Sequence, residues 1–79
     1  MIKQSETQEV LVRLGERIAS VRRALGLSQT QLAELAGTSY RPIYLIESGK
    51  SIHAETLAKL CVALGLRISL EPAGMQPDV

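Results

Sequence analysis

Over the first third of the chain, apolar residues recur at intervals of three and four: Leu11, Leu14, Ile18, Val21 and Leu25. That spacing draws one stripe along a helix, so a long first helix is expected from about Glu9, closed by Gly26. Arg13, Glu16 and Arg17 fall off the stripe and read as its solvated face. Gly15 weakens a helix by up to about 1 kcal/mol relative to alanine and is a candidate boundary between a leader segment and the domain helix proper. Residues 1–8 are polar and aperiodic, the pattern of a flexible tail.

Between Ser28 and Gly49 the pattern is of two short helices around a break at Gly37. Ser28 followed three residues on by Gln31 is a capping box, which starts a helix at Gln29. Leu32, Ala33 and Ala36 make its inner face, and the two alanines let another helix cross closely. Gly37 suits the left-handed residue that ends this helix. The next helix starts at Thr38 or Ser39, turns Ile43 and Ile46 inward, and stops at Ser48-Gly49. Tyr40, Arg41, Tyr44 and Leu45 are left pointing outward. Pro42 is tolerated only in a first turn, and it restrains Arg41 just before it. Ile52, in the connector Ser51 to Ala54, is expected to plug the core; Leu57, Leu60, Cys61 and Leu64 then mark a further helix ending at Gly65.

Leu66 to Glu71 breaks with all of this. Apolar Leu66, Ile68 and Leu70 alternate with polar Arg67, Ser69 and Glu71, the period of a half-buried strand. A lone strand leaves its backbone groups unpaired, and pairing with the same strand of a second copy across a twofold axis satisfies them. Pro72 ends it, and residues 72–79 are expected to be a second flexible tail. The organisation expected is therefore an all-α bundle of four to five helices over residues 9–65, with one short strand at 66–71 that pairs across a homodimer.

Composition narrows this further. A chain of 79 residues makes one small domain with a marginal core, to which an oligomer adds buried surface. With no Phe or Trp, the core must be aliphatic. Cys61, the only cysteine, has no disulfide partner and reads as a small buried apolar residue. His53, the only histidine, reads as a helix-start or surface residue, so neither a metal nor another cofactor is expected. No signal peptide and no membrane-length apolar run stand out, which reads as cytoplasmic. A formal net charge of +1 neither supports nor excludes a polyanion. Basic residues nevertheless precede the helix pair, and Arg41 and Lys50 flank its outer face. No clustered acid–base pair, activated nucleophile or phosphate-binding glycine loop points to an enzyme.

Tyr40 and Tyr44 are the only aromatic rings of the Phe, Tyr and Trp type, and both fall on that outer face. Since Ile43 and Ile46 already supply the inner face, contact with nucleic acid explains them better than packing does. Arg41 is the sharpest candidate for reading bases, because a guanidinium can bond both O6 and N7 of guanine; a phosphate contact or a solvated charge are its other readings. Ser39 lies nearby. Leu45 suits either a thymine methyl or partial burial.

The run L-G-L-S-Q-T-Q-L-A-E-L-A-G-T-S, followed by I-x-x-I-E-S-G-K, resembles the helix-turn-helix of phage-repressor and Cro-like (XRE) regulators, from about Ile18 to Leu64. The resemblance implies a lambda-repressor-like bundle that binds double-stranded operator DNA. It also implies a phosphate contact for Gln29, aided by the positive end of its helix, and another for Lys50. Under it Arg22 pairs with Glu47, fixing the first helix against the recognition helix. Pro42 departs from the family pattern, where a small polar residue is usual. The strand Leu66 to Glu71 resembles that of HipB-type antitoxins, dimeric repressors that bind operator DNA and a HipA-type kinase toxin. The function implied is an autoregulating repressor and antitoxin, with a HipA-like serine/threonine kinase as partner and neither membrane nor small-molecule ligand. A stand-alone phage or plasmid repressor, or an interaction module without DNA binding, are the other readings.

Overall fold

A computed structural model of the chain describes residues 1–72. Four helices run in order: α1 Gln4–Ala24, α2 Gln29–Ala36, α3 Tyr40–Glu47 and α4 Ala54–Leu64. α1 lies across α3 and touches α4, while α2 packs against both α3 and α4. Among the described residues there is no strand. The part of the expected tail after Pro72 lies outside them.

Local chemistry accounts for most of the helix ends. Ser28 Oγ accepts the Gln31 backbone N–H at 3.0 Å, and the Gln31 side-chain carbonyl accepts the Ser28 N–H at 2.8 Å, closing the expected box at the start of α2. Gly37 ends α2 with φ +70°, a conformation open to glycine without steric cost. Pro42 is the third residue of α3, where its missing N–H would have had no helical partner.

α1 departs from expectation at its start. It begins at Gln4, five residues before Glu9, so residues 4–8 are helix and not tail. Two interactions explain the extra turns: the Glu6 carboxylate accepts the Lys3 backbone N–H at 3.2 Å, and Gln8 is anchored to the far end of α3. Nor is Gly15 a boundary. α1 runs through it without a break, and Gly15 is buried where a methyl group would overlap the Ile46 carbonyl oxygen. The glycine is what lets α1 and α3 approach this closely. The buried line of α1 is accordingly Gly15, Ile18, Ala19 and Arg22, rotated from the expected stripe. Leu25, counted on that stripe, is 55% exposed.

The core is aliphatic: Ile18, Leu32, Ala33, Ile43, Ile46, Leu60 and Leu64, with Ile52, Leu57 and Leu66 packed partly against it. Ile18, Leu32, Ile43 and Leu60 are essentially sealed from solvent. Cys61 is buried beside them, and burial pushes its thiol above the ordinary cysteine range. After Gly65 the chain runs on without regular structure. The Leu66 N–H donates to the Cys61 carbonyl at 2.8 Å, whereas Ile68 and Leu70 are 51% and 95% exposed. Residues 66–71 form no ladder, and among the described residues no strand lies beside them.

Candidate nucleic-acid interface

α3 separates its two faces cleanly. Ile43 and Ile46 are buried to 0% and 3% exposure, whereas Tyr40, Arg41 and Tyr44 are all exposed. The tyrosines, four residues apart, stack with ring centroids 6.3 Å apart and planes 24° from parallel. Both side chains nevertheless stay largely in water, at 49% and 42% exposure. Arg41 takes helical backbone despite the proline after it. Ser39 precedes the helix in extended conformation, exposed, and its hydroxyl caps no backbone group. Leu45 is half-buried and lines a groove with Pro42, Ile52 and His53, between α3 and the start of α4.

The rod that carries these side chains is held at its far end by Glu47. Arg22 of α1 donates to that carboxylate twice, Nε to Oε2 at 2.7 Å and Nη2 to Oε1 at 2.9 Å. Its remaining nitrogen, Nη1, donates to the Leu27 carbonyl at 2.7 Å, in the turn before α2. The two side chains are only 11% and 7% exposed. Donating these hydrogen bonds to Glu47 raises the already high guanidinium pKa further; burial opposes this, and the carboxylate charge adds to it.

Gln29, the first residue of α2, also donates Nε2 to Glu47 Oε1, at 2.9 Å. One carboxylate thus ties α1, the entry to α2 and the end of α3 together. Sequence reasoning missed this bond, because a glutamine at the head of one helix and a glutamate at the tail of the next share no local pattern. An amide NH2 carries two N–H groups, so one remains for a ligand beyond the protein. Lys50 is exposed one residue past Gly49, beyond the end of α3.

Among the described residues, no group of three or more His, Cys, Asp or Glu could hold a metal ion, and no helix is long and apolar enough to cross a membrane. The comparison with known families decides the class of ligand. A family described as helix-turn-helix matches residues 18–70, well over half of the chain. The chain belongs to the helix-turn-helix family. The match supports the XRE type, and the helix-turn-helix domain is a DNA-binding one. The match takes in all of α2, α3 and α4. The helix-turn-helix match starts inside α1, so residues 4–17 of that helix lie before it.

Proposed function

We propose that the protein is a sequence-specific transcriptional repressor that occupies a palindromic operator as a homodimer. The observation that carries this reading is the outer face of α3: two stacked tyrosines and an arginine, unused by the core, on a helix whose far end is clamped by buried hydrogen bonds. In this reading Ser39, Tyr40, Arg41 and Tyr44 meet base edges in the major groove, and Arg41 reads a guanine. Gln29 offers its second amide N–H to a phosphate, where the N–H groups at the start of α2 favour an anion. Lys50 meets another phosphate. Arg22 and Glu47 hold the reading helix in place and touch no DNA.

Leu66, Ile68 and Leu70 carry the dimer in this account. Residues 67–71 make no backbone hydrogen bond to the described residues of one copy, and the exposed apolar side chains beside them gain a cover when two copies pair. Two recognition helices held this way sit about 34–36 Å apart, one turn of duplex. Repression follows from occupancy and needs no catalysis. The likeness of this segment to HipB-type antitoxins supports a further role, the restraint of a HipA-like kinase toxin encoded beside it.

Titration of labelled DNA from upstream of the protein's own gene, against random duplex at two salt concentrations, tests repression. The expected result is tighter binding to the upstream duplex, with a negative salt slope of about 0.9 for each phosphate neutralised. Equal affinity for both duplexes would remove sequence-specific repression. Co-purification with the product of the adjacent gene tests the antitoxin role separately.

A further inference from the structure

Nearly four turns of α1, residues 4–17, precede the helix-turn-helix match, yet they are not idle. They lie along the turn that follows the recognition helix and grip it at three levels. Gly15 lets α1 rest against the Ile46 and Glu47 carbonyls. One turn earlier, Val12 packs on Gly49 so closely that a Cβ on Gly49 would come within 2.9 Å of its methyl carbon. A further turn back, Gln8 Nε2 donates to the Gly49 carbonyl oxygen at 2.8 Å, bridging 41 residues of sequence.

That carbonyl belongs to the peptide unit whose other end is the N–H of Lys50, and the Lys50 N–H itself donates to the Leu45 carbonyl at 3.0 Å. A peptide unit is planar. Held at its oxygen by Gln8 and at its nitrogen by Leu45, this one is restrained against swivelling, and the Lys50 Cα, which lies in the same plane and is the root of the side chain, is held with it. A long flexible side chain loses less freedom on meeting a phosphate when its root is already fixed.

We propose that Gln8 is a positioning residue for DNA binding, acting through the Gly49-Lys50 peptide to aim Lys50 at the phosphate backbone. The proposal rests on the reading of Lys50 as a phosphate contact. It assigns to the N-terminal turns of α1 a part in DNA affinity that lies outside the matched helix-turn-helix region.

The test uses the full chain and the upstream duplex, with affinity measured across a salt series for wild type, Gln8→Met, Lys50→Ala and the double variant. Gln8→Met keeps the length and apolar stem of the side chain and removes the donor. Thermal melts choose a temperature at which all four are folded. Lys50→Ala is expected to reduce the magnitude of the salt slope by about 0.9. Gln8→Met is expected to weaken binding about three- to tenfold, the range of one lost hydrogen bond, and to move the slope in the same direction. In the Lys50→Ala background it is expected to do nothing further. Should Lys50→Ala lower the slope while Gln8→Met leaves slope and affinity at wild-type values, or adds its full loss to that of Lys50→Ala, the positioning role is overturned and the phosphate reading survives. Should Lys50→Ala itself leave the slope unchanged, the phosphate reading falls and the positioning role with it.

Discussion

Glu47 is an acidic residue at the last position of a helix, where the helix dipole disfavours negative charge. It is retained there with three side-chain N–H groups pointing at it, two from Arg22 and one from Gln29. Loss of Arg22 leaves a nearly buried carboxylate with one neutral donor. Arg22→Ala is expected to cost about 3–5 kcal/mol at neutral pH, seen as a sharp fall in melting temperature; a change no larger than that of Arg13→Ala on the exposed face would contradict it. Gly15→Ala sets two effects against each other. Alanine favours helix by up to about 1 kcal/mol, but its methyl would overlap the Ile46 carbonyl, and overpacking costs about 1–3 kcal/mol. The clash is with backbone, so it should prevail and lower the melting temperature; a rise would show that α1 and α3 can separate cheaply. At this scale the sequence was least informative. Residues 22 and 47 were joined only through a family resemblance, Gln29 was not joined to them at all, and Gly15 was read as a weakness because close helix approach is a tertiary fact.

At the scale of elements, what was legible followed local rules. Ser28 and Gln31 announced the start of α2, Gly37 its end, and Pro42 placed itself in the first turn of α3. The start of α1 was misplaced by five residues because its outer turns are stabilised by a contact with the end of α3 and carry no strong stripe of their own. Residues 66–71 are the opposite case: the alternation is plain, but a ladder needs a second chain. If two copies pair antiparallel about Ser69, Arg67 lies opposite the partner's Glu71 and Ile68 opposite the partner's Leu70, so both faces of the ribbon match. Opposite-charge pairs contribute about 0.2–1 kcal/mol each, and like charges cost a similar amount. Arg67→Glu or Glu71→Arg alone should therefore weaken the dimer severalfold by sedimentation equilibrium, and the two together should restore it. Additive losses in the double variant would contradict this register.

For the whole molecule, the proposed reading puts recognition on one short rod, α3, against which both α1 and α2 pack. The net charge of +1 did not reveal a nucleic-acid partner, because the evidence lies in placement: the only two tyrosines and an arginine share the solvent side of α3. The class of partner was legible from the helix-turn-helix motif, which the family match supports. The operator sequence was not, since side chains on a free surface adopt their reading positions only against a duplex. The central claim is that this face discriminates between sequences, and Arg41 is its sharpest component. The most direct measurement is the ratio of affinities for the upstream duplex and for random duplex, at one salt concentration, for wild type and Arg41→Ala. Arg41 is exposed, so the variant should melt with wild type, and a lost bidentate guanine contact should lower the ratio by about ten- to a hundredfold. A ratio that stays at its wild-type value, with both affinities falling together or not at all, would contradict base reading by this face.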